Sequence, residues 1–338
     1  MFSDSRQQAA YFNSYFDVTY NNLLRRRLLI ETVKKLTEGN PKLVTDGIDM
    51  ETLFETLSLV LVQNEIVNNK QSKKEAWKTI LYEISSRDRN SLENLGLLSF
   101  QVNPYIPDAG KIIDDFLEED ALTIQRVLAE SFKKYCILDF PLRGEMQPDD
   151  RKYYLFSEYE TSMTLEGSDS KSCMSWLPKR GSNSRVDYIK KTRENKSEKE
   201  INGFLEGIWK YVFEPQNYIV SSSHDLQKYK MDIRKFKAFP SLNGEIQWYR
   251  CDKCGRLTAN NINNVCPTFN CKGTLKKYDP HEEMKDNHYK NLYQSMQISK
   301  MKIKEHTAQL STKTAKEYQE QFIKKEINVL SCSTTFEM

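Results

Sequence analysis

The sequence predicts an α/β protein that carries a large, mostly α insertion and a small four-cysteine zinc ribbon. Three observations lead to this fold class. Apolar residues recur at helical spacing in several segments of the first 212 residues, four cysteines cluster between residues 251 and 271, and a helical pattern is followed by an apolar strand between residues 311 and 332. A helix followed by a buried strand is half of the unit from which parallel sheets are built.

The composition is typical of a folded chain, with 338 residues of which 38% are hydrophobic and 11% aromatic. The 50 basic and 47 acidic residues leave a formal charge of +3, so a nucleic-acid site would have to come from local clustering of charge. The first residues do not resemble a secretory signal, and no apolar run approaches the roughly 20 residues of a membrane span. We therefore expect a cytoplasmic protein with reduced thiols and no membrane association.

The first predicted element is a helix that begins near Arg6 and that Asp4 can cap. Residues 1–37 form the first predicted segment, and a helical insertion over residues 38–182 follows it. Further helices are predicted within that insertion over residues 50–62 and 121–135.

A winged helix is predicted over residues 183–240. Ser197 and Glu200 form a capping box, and the helix that they begin has one apolar face. Two short strands, residues 218–221 and 229–236, follow that helix. The alternative is a generic helix and hairpin that only pack against the rest of the protein and bind nothing.

A metal site is predicted from the spacing Cys251-x2-Cys254 and Cys266-x4-Cys271, with eleven residues between the pairs. Zinc accepts four thiolates in a tetrahedron, and such a filled shell leaves no position for substrate or water. The spacing therefore indicates a structural zinc ribbon, assigned to residues 241–280, with an iron–sulfur cluster as the alternative.

Aromatic and basic residues flank this ribbon. Trp248 and Tyr249 precede the first cysteine, and Lys272, Lys276 and Lys277 follow the last. Such residues can stack on bases and meet phosphates. The alternative is a solvated basic edge on a module whose core is the metal.

The two ends of the chain resemble one family. Residues 326–338, Glu-Ile-Asn-Val-Leu-Ser-Cys-Ser-Thr-Thr-Phe-Glu-Met, resemble the motif V region of superfamily 2 DEAD/DEAH-type helicases. Residues 2–10, Phe-Ser-Asp-Ser-Arg-Gln-Gln-Ala-Ala, are similar to motif IV of the large bacterial members with zinc-binding cysteines. The resemblance implies a partial RecA-like parallel sheet, the second of the motor, that residues 1–37 begin and residues 281–338 continue.

The resemblance also implies a nucleic-acid face whose residues contact phosphates and sugars rather than bases. The residues implied are Ser3, Asp4, Ser5, Arg6, Thr307, Ser333, Thr334 and Thr335. Taken alone, Asp4 is equally a helix cap, and the hydroxyls that end the chain equally satisfy backbone groups at a strand end.

Several motor motifs are missing from the sequence. It has no G-x-x-x-x-G-K-(S/T) loop, no D-E-x-H or D-E-x-D motif, no Q-x-x-G-R-x-G-R segment, and none of the Gly-(Val/Ile)-Asp that continues motif V in the family. The resemblance therefore implies a fragment of an ATP-dependent helicase or translocase that acts on DNA or RNA and is inactive alone. ATP and Mg²⁺ would bind only in the full-length protein, with the first RecA-like domain on the same polypeptide or on a complementing chain. The alternatives are a non-enzymatic nucleic-acid-binding adaptor, built on the winged helix and the ribbon, and a protein-interaction module.

Overall fold

The computed structural model describes residues 2–3, 6–105, 118–155, 160–167, 170, 172–193, 195–222, 225–297, 302–306 and 310–333. The α-helices in these ranges are α1 (Arg6–Gly39), α2 (Leu43–Asp46), α3 (Met50–Gln63), α4 (Asn69–Ser85), α5 (Glu118–Lys134), α6 (Pro148–Tyr154), α7 (Ser184–Thr192), α8 (Glu198–Gly207), α9 (Pro280–Glu283), α10 (His288–Ser295) and α11 (Thr312–Ile323). The strands are β1 (Phe2–Ser3), β2 (Ile48–Asp49), β3 (Leu98–Val102), β4 (Leu138–Asp139), β5 (Ser162–Thr164), β6 (Cys173–Ser175), β7 (Ile219–Ser222), β8 (Asp225–Asp232), β9 (Phe236–Pro240), β10 (Trp248–Cys251), β11 (Leu257–Thr258), β12 (Leu275–Tyr278), β13 (Ile303–His306) and β14 (Val329–Ser333).

The two ends of the chain meet in one parallel sheet with the strand order β1-β14-β13. The buried side chains of β14 and of the residues just before it, Ile327, Leu330 and Cys332, form a small core against which Tyr318 of α11 packs. Ser311 caps α11 because its side-chain oxygen accepts a hydrogen bond from the backbone N–H of Thr314. A helix packed beside a parallel strand is the arrangement that the sequence predicts here.

The insertion between these ends is mixed rather than mostly helical. The predicted helices are present as α3 and α5, but the insertion also contains three small sheets. One has the order β2-β9-β3, one is the ribbon β11-β10-β12, and one joins β4, β5, β6, β7 and β8. The sequence indicates the ribbon and the β7–β8 hairpin but not the other strand pairings, because most of those strands are two to five residues long and pair with distant segments.

One large hydrophobic core holds most of the insertion together. It includes the buried face of α1, with Leu28 and Val33, and the buried side chains of α3 and α4. Trp77 of α4 is fully buried and stacks on Phe54 of α3 with 4.6 Å between ring centroids. The ribbon has a separate, much smaller core that contains Cys251, Cys266 and Leu275. No helix in the described ranges is long and apolar enough to cross a membrane.

The segment predicted as a winged helix contains two helices and a hairpin in the predicted order, α7, α8 and β7–β8. Its capping box is present, since Ser197 N–H donates to the Glu200 carboxylate at 2.8 Å and Ser197 Oγ accepts from Glu200 N–H at 3.3 Å. The hairpin, however, belongs to a five-stranded sheet together with β4, β5 and β6. The outward side of α8 carries Glu198 and Glu206 beside Lys199, an acidic balance that does not suit a helix facing DNA.

Candidate metal centre and nucleic-acid edge

The four cysteines lie at one end of the antiparallel ribbon β11-β10-β12. Cys251 ends β10, and Cys254 follows in the turn toward β11. In that turn Gly255 N–H donates to Cys251 O at 3.1 Å, and Gly255 has φ +71°, a conformation that glycine adopts without strain. Cys266 and Cys271 come from the loop between β11 and β12. The ribbon thus brings two separate turns to one point.

The spacing of the sulfur atoms suits one metal ion. All four lie within 4.8 Å of one another, with 3.7 Å between Cys251 and Cys271 and 3.6 Å between Cys254 and Cys266. Four sulfurs that surround a zinc ion at about 2.3 Å stand about 3.8 Å apart. The cysteines are free thiols rather than disulfides. The predicted cluster is therefore confirmed as a group of four cysteines that could hold a metal.

Hydrogen bonds favour the thiolate form, which is the form that binds metals, at Cys254, whereas burial raises the pKa of Cys266 to about 12 and also raises the pKa of Cys271. Burial by itself raises the pKa of Cys254, but hydrogen bonds from the Thr268 hydroxyl and the Arg256 backbone N–H outweigh it and hold the pKa at about 6. The Sγ of Cys254 lies 3.5 Å from Thr268 Oγ1. On the other side of the cluster, Gly273 N–H donates to Cys271 Sγ at 3.4 Å.

Gly273 allows the two turns to approach each other. A Cβ at this position would overlap the Sγ of Cys251 and would stand 2.9 Å from Asp252 Oδ1 and from Lys253 Cβ. Asp252 Oδ1 also accepts a hydrogen bond from Thr274 N–H at 2.9 Å. The second cysteine turn is therefore packed directly on the first, and glycine is the residue that fits between them.

The ribbon is hydrogen-bonded to α7. Lys191 Nζ donates to the carbonyl oxygens of Cys266 at 3.3 Å and Thr268 at 3.1 Å. Asn270 N–H donates to the Asp187 carboxylate at 3.1 Å. These contacts fix the loop that carries the second cysteine pair against the body of the protein.

The ribbon presents a different aromatic residue from those that the sequence singles out. Trp248 is fully buried and donates its indole N–H to Ser241 Oγ at 3.1 Å, so the prediction that it stacks on bases is wrong. Tyr249 packs partly buried against the ribbon core. Phe269, in contrast, is 42% exposed. The sequence could have indicated this exposure, because Phe269 lies between Cys266 and Cys271. A loop that folds around a metal ion has no hydrophobic core in which a phenyl ring could be buried.

The lysines predicted to meet phosphates lie on the surface of the ribbon. Lys272, Lys276 and Lys277 are all exposed. Lys276 lies 3.9 Å from the Asp252 carboxylate, a separation at the limit of an ion pair. These residues are therefore accessible, as contact with phosphates requires.

Three of the eight residues implied at the nucleic-acid face belong to described elements. Ser3 ends β1, Arg6 begins α1 and Ser333 ends β14. Ser3 is the register partner of Ser333, and His306, which ends β13, is the partner of Cys332. Because the strands are parallel, their carboxyl ends share one edge of the sheet, where α/β proteins bind ligands. The other five lie outside the described residues: Asp4, Ser5, Thr307, Thr334 and Thr335.

Comparison of the chain with protein-family models, with curated proteins and with solved structures gives no match. The geometry of the cysteine cluster and of the sheet edge is therefore what bears on function.

Proposed function

We propose that this chain forms part of the second motor domain of an ATP-dependent nucleic-acid helicase or translocase. The observation that carries the proposal is the register of the parallel sheet. Ser3 and Ser333, from the two segments that resemble motifs IV and V, are partners on neighbouring strands, and β13 ends beside them. Three segments that contact nucleic acid in the family thus leave the sheet at one edge.

The chemistry of this edge suits a sugar–phosphate backbone. Hydroxyl groups and backbone N–H groups at strand ends donate to phosphate oxygens, and α1 begins close to this edge with Arg6, a residue type that pairs with phosphate. Contacts of this kind position a strand without reading its bases. We therefore propose DNA or RNA backbone binding that is largely independent of sequence.

The proposed metal is a structural Zn²⁺ held by Cys251, Cys254, Cys266 and Cys271. Its support is the sulfur spacing of 3.6 and 3.7 Å, close to that of a zinc tetrathiolate. Four thiolates complete the zinc shell, so the ion would stabilise the ribbon and take no part in a reaction.

ATP and Mg²⁺ belong to another part of the proposed motor. The sequence lacks the phosphate-binding loop, the Mg²⁺-binding acidic motif and the arginine-finger segment. We propose that a first RecA-like domain, on the same polypeptide or on a complementing chain, supplies the nucleotide site.

Titration of fluorescein-labelled single-stranded DNA and RNA homopolymers with the full chain tests this function. We expect Arg6→Ala to weaken binding several-fold and to reduce the salt slope of log K by about 0.7, the value of one phosphate contact to a single strand. Lys35→Ala is the matched control, because Lys35 is exposed on the same helix about 40 Å further along its axis. Equal affinities and salt slopes for the two variants would count against the sheet edge as the binding face.

A further inference from the structure

A cavity of about 910 Å³ lies between the ribbon and the helical body. Its walls come from the end of α4 and the loop after it (84–94), from α5 (127–134), from the start of α7 (184–185) and from the ribbon (250–258 and 267–269), with Met284 also in the lining. We call this cavity the ribbon cleft. It is distinct from the sheet edge, because no residue of β1, β13 or β14 lines it.

The lining of the ribbon cleft is strongly basic. It contains two carboxylates, Glu93 and Glu130, and seven cations: Arg87, Arg89, Lys133, Lys134, Arg185, Arg250 and Arg256. Both carboxylates are already engaged. Lys133 Nζ lies 3.1 Å from Glu93 and 2.9 Å from Glu130, and Arg256 lies 3.2 Å from Glu130.

Five cations of the cleft contact no carboxylate in the part of the chain that the structure describes: Arg87, Arg89, Lys134, Arg185 and Arg250. Aromatic rings and carbonyl groups hold most of them instead. Arg87 lies 5.3 Å from the centre of the Tyr135 ring, and Arg250 lies 5.1 Å from that of Tyr278. Asp88, between two of these arginines in sequence, is turned away to Arg26 at 3.1 Å. Among the described residues, the positive charge of the cleft therefore exceeds the negative charge of the carboxylates in contact with it.

Arg185 is the clearest example of a cleft cation that is held by carbonyl groups and an aromatic ring. Its guanidinium donates to the carbonyl oxygens of Trp176 and Ser175, and it lies 4.7 Å from the centre of the Trp176 ring. Burial lowers the pKa of Arg185 to about 10. Burial and the charge of Arg256 also lower the pKa of Arg87. Burial disfavours the charged form of these arginines, and an anion that enters the cleft would stabilise that form.

The cleft also offers an exposed apolar ring. Val127, Leu128 and Leu257 lie in its lining but are more than nine-tenths buried, so the ring of Phe269, which is 42% exposed, is the apolar surface that a ligand can reach. Exposed aromatic rings within a basic groove are the parts from which proteins build sites for single-stranded nucleic acid, because every base can stack on such a ring.

We propose that the ribbon cleft binds a single strand of nucleic acid, with phosphates on Arg87, Arg89 and Arg250 and one base stacked on Phe269. The volume suits a short run of nucleotides from a flexible strand, and it is too small for a duplex. This site goes beyond the sheet edge and does not depend on a helicase activity. A free nucleotide also carries a phosphate and a base. The test must therefore distinguish binding of a nucleic-acid strand from binding of a free nucleotide.

The test uses the full zinc-loaded chain and a fluorescein-labelled oligothymidylate, titrated at several salt concentrations. We expect Arg89→Glu with Arg250→Glu to weaken binding at least about tenfold and to reduce the salt slope by about 1.4, the value of two phosphate contacts. The matched control is Lys70→Glu with Lys73→Glu, which makes the same change in charge on exposed residues of α4 roughly 15–20 Å from Ile84 along the helix. Equal losses in the two double variants would overturn the proposal.

Phe269 provides a second test that is independent of charge and of the core, because its ring is already exposed. Phe269→Ala should weaken binding about five- to hundredfold, the range for loss of one base stack, and Phe269→Trp should restore it. A mononucleotide that displaces the strand at an equal concentration of phosphate would overturn the single-strand assignment in favour of a nucleotide site. The Arg6→Ala titration is run in parallel, so that failure of the sheet edge and failure of the cleft are separate results.

Discussion

Gly273 lies against the Sγ of Cys251 so closely that no side chain fits between them. This contact joins the two turns that carry the four cysteines, although Gly273 contributes no ligand atom. The position of the sulfur of Cys251 therefore depends on the absence of a Cβ twenty-two residues later in the sequence.

Gly273→Ala should weaken zinc binding by about 10- to 100-fold, because the added Cβ must displace a ligand sulfur. The measurement is competition for zinc with a chromogenic chelator under reducing conditions. Gly255→Ala is the matched control. Gly255 has φ +71° but open space around it, so alanine there costs about 1–2 kcal/mol of stability without touching a sulfur. A larger loss of zinc affinity in Gly255→Ala than in Gly273→Ala would contradict this account.

Removal of the metal should unfold the ribbon and leave the helical core folded. The buried residues of the ribbon core are Cys251, Cys266 and Leu275, whereas the large core, which Ile262 of the ribbon joins, is built mostly from residues outside the ribbon. A module with so little apolar surface depends on its metal for folding. Hydrogen exchange after chelation should show loss of protection in β10, β11 and β12 and retained protection in α3 and α4. Uniform loss of protection across both regions would rule out an independent ribbon.

Arg26→Met should lower the free energy of unfolding by about 3–5 kcal/mol. Arg26 Nε lies 2.7 Å from Glu83, both side chains are almost fully buried, and Arg26 also donates to Tyr293 Oη at 3.3 Å. Loss of the cation leaves Glu83 buried without its charge partner. The neighbouring pair Arg25–Glu75, at 2.6 Å, is about one-fifth exposed, so Arg25→Met should cost only about 1 kcal/mol. Urea unfolding of both variants measures the difference, and similar losses would refute it.

Glu160 should make stability depend on pH below about 4.5. Burial alone raises the pKa of this carboxyl, but hydrogen bonds and charges from Arg143 at 2.7 Å and Lys230 at 2.9 Å outweigh it and hold the pKa at about 2. A lowered pKa stabilises the folded state above the unfolded value of 4.5, and this contribution is lost as the pH falls from about 4.5 to about 2.

The measurement for Glu160 is the free energy of unfolding of the native chain and of Glu160→Gln as a function of pH. The variant should be about 1–2 kcal/mol less stable at pH 7, since partial exposure reduces the full linkage value, and the difference should shrink through this window. The exposed Glu166→Gln is the control and should leave the profile unchanged. A constant difference between the native chain and Glu160→Gln at all pH values would exclude the carboxylate as its source.

Features that depend on neighbouring residues were predictable from the sequence. The capping box of Ser197 and Glu200, the start of α3 at Met50 and the start of α1 at Arg6 follow from local hydrogen bonding and from helical spacing. The cysteine cluster also follows from local spacing, because each pair lies on one short turn. The pairing of the two chain ends came from the resemblance, which carries long-range information that periodicity does not.

Features that depend on distant contacts were not predictable. Ala238 of β9 pairs with Ile48 on one side and with Phe100 on the other, and nothing near any of the three residues indicates its partners. The cations of the ribbon cleft come from several segments, so in the sequence they look like scattered surface charges. Trp248 lies beside the first cysteine pair, a position that suggests exposure, yet it is fully buried and its indole N–H donates to Ser241 Oγ.

The unbroken length of α1 has a mechanical consequence. Its 34 residues form a rod about 50 Å long, which packs on β13 and β14 and also on α3, α4 and α10. Arg26 of this rod donates to Ser86, a residue of the ribbon cleft, while Arg6 begins it at the sheet edge. A rotation of α1 at the sheet edge would therefore also move Arg26 and its contact with Ser86 at the ribbon cleft.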